Sequence, residues 1–295
     1  MRLRLLAVCL PALFLGCDQV EYRPRLPDAA VLTVDHMGAY TSRLGEDEEE
    51  VNGTAFQDSW KWSYEKHGDG WIVRRRLDSL SGKGYHRLSM PNELEKKANL
   101  DIMLGPDGLP RRITGYDSLH AVLARIDQRR DYREQLLRLS DTVRFQAEIR
   151  DAFRLRNLLP QGTLKSKTAI GVADANRGLE TLKLDSARYL GEQTRLRRHC
   201  LEYEVYYHRD DSLPLLVEQF FFSSAAHRKW KNSLWSPGRV DAFRHFSVER
   251  ETGLPCFESV TETGHVTLRD TAEKSEQPIT LYRYEEDIYG PPPEG

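Results

Sequence analysis

Trp60-Lys61-Trp62-Ser63-Tyr64-Glu65-Lys66-His67-Gly68-Asp69-Gly70-Trp71-Ile72-Val73-Arg74-Arg75-Arg76-Leu77 reads as two strands joined by a tight reversal. Aromatic residues at 60, 62 and 64 alternate with Lys61 and Ser63, the period of a strand with one buried face. Gly68-Asp69-Gly70 tolerates the backbone angles of a short turn, so Trp60–Lys66 and Trp71–Leu77 are expected to pair as a hairpin. The arginine triplet forms no basic patch, because on a strand Arg75 points opposite to Arg74 and Arg76.

The same texture extends in both directions. Val31-Leu32-Thr33-Val34 opens a strand-like region that runs to Val73. It is interrupted by Gly45 and the acidic run Glu46-Asp47-Glu48-Glu49-Glu50, a solvated loop in this reading, since no spaced set of cation ligands follows. Further strands are expected over Leu100–Leu104, Thr181–Leu190, Thr194–His208, Leu215–Ser223, Phe243–Arg250, Cys256–Thr263, His265–Arg269 and Ile279–Tyr284. Three of these runs end in a common signature: Asp107-Gly108-Leu109-Pro110, Asp211-Ser212-Leu213-Pro214 and Thr252-Gly253-Leu254-Pro255. A polar residue with glycine or serine supplies the reversal, and proline suits the first position of the strand that follows.

Helical spacing appears between the strands. Leu119, Val122, Leu123 and Ile126 follow Asp117, a suitable N-cap. Phe145, Ile149, Ala152, Phe153 and Arg156 share a face before Pro160 stops the pattern. The fold class expected is therefore α+β: mainly antiparallel, curved sheet with amphipathic helices packed on one face. The expected organisation is a leader (1–16), a modified N-terminus and polar tether (17–30), and a β-rich half ending in helices (31–160). A crossover (161–178), a second β-rich half (179–288) and a disordered tail (289–295) complete it. The two halves are candidates for diverged copies of one unit.

Composition narrows the function classes. Mean hydropathy is −0.61 and 30% of residues are charged, so spans beyond the leader are not expected. Arg2 and Arg4 belong to the leader, leaving 41 basic and 45 acidic side chains, a net of −4. That balance gives no bulk attraction for nucleic acid.

The leader, MRLRLLAVCLPALFLGC, has a basic start and an apolar run from Leu5 to Leu15. The run falls well short of the ~20 residues that cross a bilayer as a helix. Its end, Leu13-Phe14-Leu15-Gly16-Cys17, resembles a bacterial lipoprotein signal, with Phe14 where leucine is commonest. The resemblance implies lipidation of Cys17, anchorage in the bacterial cell envelope facing the periplasm or exterior, and partnership with the membrane through that lipid. Which envelope membrane is left open. With Cys9 in the leader and Cys17 lipidated, Cys200 and Cys256 are left in an oxidising compartment. A structural disulfide is the favoured reading, with two free thiols as the alternative; their spacing fits no CxxC-type metal or redox set.

Motifs of catalysis are not found. Nine histidines are scattered singly, with no HxH, HExxH or HxxxH set. His199 beside Cys200 would face the opposite side of a strand. There is no GxSxG elbow and no phosphate-cradling glycine loop. Asp210-Asp211 lies where a turn wants aspartate for backbone reasons. No catalytic residue, metal or cofactor is assigned. Trp230 and Trp235, near Lys229 and Lys231, read as packing on the sheet or as contact with lipid head groups.

The strand, GLP turn, strand signature on such a chain resembles exported bacterial lipoproteins of the lipid-carrier type, in which a curved antiparallel sheet wraps around helices. The resemblance implies a non-enzymatic protein that binds or transfers a hydrophobic ligand or lipidated cargo. The alternatives are an assembly partner of another envelope protein and a hydrolase with dispersed catalytic residues. A continuous apolar cavity would favour the carrier, and an exposed aromatic patch around Trp230 and Trp235 the assembly partner. A buried titratable cluster in a cleft would favour the hydrolase.

Overall fold

In a computed structural model the protein is described over residues 19–44, 49–81, 99–115, 142–209, 233–236, 239–270 and 276–291. The first arm of the chain comprises β1 (Gln19–Tyr22), β2 (Ala29–Leu44), β3 (Glu49–His67), β4 (Gly70–Ser81), β5 (Leu100–Leu104) and β6 (Pro110–Thr114). Helix α1 (Thr142–Arg156), β7 (Gly162–Lys165) and the short α2 (Ala173–Asn176) follow. The second arm holds β8 (Lys183–Arg195), β9 (Arg198–Arg209), β10 (Ser233–Ser236), β11 (Val240–Glu249), β12 (Pro255–Asp270) and β13 (Glu276–Gly290).

The expected α+β class is overturned. Eleven strands form one antiparallel sheet in the order β6-β5-β4-β3-β2-β13-β12-β11-β9-β8, with β10 also on β12. Among the described residues there are only two helices, of 15 and 4 residues. Strand lengths account for much of the discrepancy: β3 runs 19 residues and β12 16. Cys256–Thr263 and His265–Arg269, expected as separate strands, are one strand that continues through Gly264. The second expected helix is present as α1; the first, around 119–126, lies outside the described residues, as do the leader, Cys17, Asp211–Pro214, Leu215–Ser223 and Trp230.

The turns follow their chemistry. Gly68 takes φ +62° in a two-residue reversal closed by the His67–Gly70 pair. In the β5–β6 and β11–β12 hairpins a side-chain oxygen accepts the amide of the leucine two residues on. Leu109 N donates to Asp107 Oδ1 at 3.1 Å, and Leu254 N to Thr252 Oγ1 at 3.1 Å. Gly108 and Gly253 both take φ +72°, and Pro110 and Pro255 each begin the outgoing strand.

Apart from β1, which forms a separate two-stranded sheet with β7, both arms belong to one sheet, joined where β13 pairs with β2 from Ile279–Leu44 to Gly290–Thr33. Within the stretch read as a tether, β1 pairs with β7 and Tyr22 is buried. Tyr289, assigned from sequence to the tail, is buried in β13. One sheet face carries two apolar clusters under α1. Leu32, Val34, Trp62, Val73 and Ile102 of β2–β5 take Phe153, while Tyr203, Val205 and Phe246 of β9 and β11 take Leu155. Tyr203 also donates its hydroxyl to the Leu155 carbonyl at 2.8 Å.

Asp151 fixes the helix to the segment that leads into β8. It is 1% exposed and accepts the amides of Glu180 and Thr181 (3.0 and 2.7 Å) and the Thr181 hydroxyl (2.7 Å). Asp151→Ala strands these donors and is expected to cost about 2 kcal/mol. Urea denaturation checks this; an unchanged midpoint would contradict it.

Candidate binding cleft between helix and sheet

The strands between the two apolar clusters are charged on the same face. Glu258 and Glu262 of β12 and Arg283, Glu285 and Asp287 of β13 alternate toward the helix side, flanked by Arg244 of β11 and Arg209 of β9. Helix α1 crosses this seam, contributing Arg156 and Glu148, and beneath it lies a cleft of about 330 Å³. One wall is apolar and aromatic, from Val34, Trp60, Trp62, Ile102, Ile149 and Phe153. The other is the charged seam.

Two carboxylates organise the seam. Glu262, 2% exposed, accepts Arg209 at 3.1 Å, Arg283 at 2.9 Å and the Tyr207 hydroxyl at 3.2 Å. Burial alone would raise its pKa; Arg209, Arg283 and Arg244 outweigh that and hold it at about 2. Glu258 accepts Arg156 at 2.7 Å and Arg244 at 3.2 Å. Arg156 also donates to the Tyr289 hydroxyl at 2.9 Å, and that hydroxyl donates to Asp287 at 3.3 Å. His36 Nδ1 lies 2.6 Å from Asp287 Oδ1. Burial would raise the Asp287 carboxyl, but His36, Arg156 and Arg75 hold it below its usual value. Arg75 stacks on Trp60 at 3.8 Å.

Buried donors in this network lack an acceptor among the described residues. Arg209 and Arg244 are 7% and 8% exposed, and among the described residues the Nε–H of each is buried without a hydrogen-bond partner. A buried N–H left unpaired is costly, so each is a point where a ligand oxygen gains most.

The sequence-assigned residues lie elsewhere. Cys200 of β9 and Cys256 of β12 form a disulfide that flanks β11, away from the cleft lining. His199 faces solvent at 3.4 Å from Glu192, while Cys200 is fully buried, so the two do not meet. The arginine triplet divides as expected. Arg74 pairs with Glu65, Arg76 with Asp101, and Arg75 alone turns into the cleft. Of Trp235 only the backbone, in β10, is described. Arg209, Arg244, Arg283, Glu258, Glu262 and Asp287 were missed. The available signal was alternation of charge in Arg283-x-Glu285-x-Asp287 and Glu258-x-Val260-x-Glu262, which ordinarily marks a solvent face.

Among the described residues no group of three or more His, Cys, Asp or Glu is placed to hold a metal, and no helix is long and apolar enough to cross a membrane. A second hollow of about 390 Å³ beside β1 is lined by Tyr189, Glu192 and Glu202. Its acids are already engaged, Glu202 by Arg195 at 2.7 Å and Glu192 by Arg250 at 3.5 Å.

No protein-family description matches the chain, and no curated protein matches it. Among solved structures, lipovitellin, from work on its lipid–protein interactions, is 12% identical over 93% of this chain with a TM-score of 0.42. This chain spans about a quarter of lipovitellin's length, 26%. DynF from the dynemicin biosynthesis pathway of Micromonospora chersina is 9% identical over 98% of this chain and 92% of its own, with a TM-score of 0.19. At these scores neither likeness supports a statement about function.

Proposed function

We propose that the protein is a non-enzymatic binding protein of the bacterial envelope, anchored through Cys17, that holds an amphipathic ligand in the cleft beneath α1. The observation that carries this reading is the pairing of an aromatic wall with the buried guanidinium N–H donors of Arg209 and Arg244, which lack acceptors among the described residues. An apolar body would lie along Trp60, Trp62 and Phe153, and an oxygen-rich head group would meet Arg209 and Arg244. Two acyl chains on Cys17 would suffice for stable anchoring.

The cleft is not the continuous apolar cavity expected of a pure lipid carrier, so the ligand class narrows to molecules with an acceptor-bearing head. The cleft also contains the titratable cluster that would favour a hydrolase. Its carboxylates, however, are engaged by arginine or histidine. Among the described residues no serine or cysteine lines it, and the hydroxyl of Thr181 is already donated to Asp151. Those features favour binding over covalent catalysis.

The test compares a lysophosphatidylglycerol with a monoacylglycerol of the same chain length on Cys17→Ser protein purified without detergent. The anionic amphiphile is expected to bind at least about tenfold tighter by calorimetry, as one charge-assisted hydrogen bond allows. Arg244→Lys, which keeps the charge and loses the Nε donor, should remove most of that preference. Equal affinity for the two amphiphiles, or a preference indifferent to Arg244→Lys, would refute the reading.

A further inference from the structure

The reversal between β8 and β9 is made by Leu196 and Arg197, with φ +48° and +63°. A two-residue hairpin with both positions left-handed is normally built from Asn-Gly, because a β-carbon is disfavoured there. A bulky residue with positive φ is a real outlier. Here the first position holds leucine, 54% exposed at the tip, with its side chain beside Gly290 of β13. Folding stability alone does not account for that choice, and such outliers concentrate where a surface has a task.

The surroundings of the tip point to the task. Arg250 gathers this end of the molecule, its amide donating to His199 O (2.8 Å), its Nε to Glu21 O (3.3 Å), and its NH1 lying 3.5 Å from Glu192. Strand β1, the first described segment, is thereby held beside the base of the β8–β9 hairpin. On and around β1 the exposed cations Arg23, Arg25, Lys165, Lys167 and Arg197 outnumber the exposed acids Glu21, Asp28 and Glu251, with Arg23 paired to Glu21. The whole chain, by contrast, has an acidic excess of −2.

We infer that this end of the molecule rests on an anionic lipid surface, with Leu196 entering the head-group layer and Arg197, Lys165 and Lys167 on phosphates. An exposed apolar tip ringed by cations matches such a surface in both its charge and its apolar layer. Strand β10 and the start of β13 lie at the opposite end of the sheet, away from the bilayer. The inference is independent of the ligand proposed for the cleft.

The experiment uses the full chain carrying an environment-sensitive fluorophore at Leu196→Cys or, as the remote control, at Glu276→Cys. Each is mixed with vesicles containing phosphatidylglycerol and with vesicles of phosphatidylcholine alone, both doped with brominated lipid. Quenching is expected at 196 on the anionic vesicles, with severalfold less on neutral vesicles or after Arg197→Glu, and none at 276. Quenching at 196 independent of lipid charge, equal quenching at both positions, or none at 196 would each overturn the inference. The pair Leu196→Asn with Arg197→Gly separates docking from folding: it should raise the melting temperature by about 2–4 °C while abolishing the quenching of a fluorophore moved to position 194. Retained quenching in that variant would overturn the role given to the tip.

Discussion

Glu262→Ala is expected to cost about 3–5 kcal/mol, because it leaves buried guanidiniums facing one another without their shared carboxylate. Glu262 is the meeting point of Arg209, Arg283 and the Tyr207 hydroxyl. The same residue sets an acid limit. Its carboxyl titrates at about 2 in the folded protein against 4.5 ordinarily. A lowered folded pKa contributes stability that is complete above about pH 5 and is lost as pH falls toward about 2. Urea denaturation at pH 7 and at steps down to pH 3 should show the wild-type protein losing stability over that interval. Glu262→Gln should be less stable at pH 7 and flatter with pH. Parallel curves for the two proteins would remove Glu262 from this role.

Removal of the Cys200–Cys256 bridge is the second change of large expected effect. The bridge closes a loop between residues 56 apart in sequence. Freeing it in the unfolded chain is expected to cost about 4 kcal/mol by loop-closure entropy. The double substitution Cys200→Ser, Cys256→Ser should therefore lower the thermal midpoint strongly and to a similar extent as reductant does on the wild-type protein. A thiol titration of the denatured, unreduced protein that finds both cysteines free would contradict the pairing.

The local chemistry of the fold was legible in the sequence. Gly68-Asp69, Asp107–Pro110 and Thr252–Pro255 turn where the residues say they should, because glycine at positive φ and a side chain accepting a nearby amide are decided within four residues. Helix α1 was visible for the same reason, its face set by its own period. Strand length was not. Nothing within Cys256–Arg269 shows that Gly264 is crossed without a break, because that depends on β13 lying alongside. The cleft was least visible of all. Its residues come from β2, β3, β4, β5, β9, β11, β12, β13, α1 and the segment before β8, and only the register of the strands and the packing of the helix bring them together. On β13 the pattern also misleads: Tyr282 and Tyr284 face away from the helix while Arg283, Glu285 and Asp287 face it, so the polar side is the covered one. Hydrophobic alternation assigns faces correctly only when the core is apolar throughout.

The pairing of β2 with β13 places Thr33 against Gly290. Seen as an order of events, each arm can zip hairpin by hairpin as it becomes available, but the pair that unites them joins residues more than 230 positions apart and waits for β13. Contacts of such long range slow folding and leave strand edges exposed in the interval. The chain would thus remain two half-sheets with open edges, in need of shielding, until β13 pairs with β2.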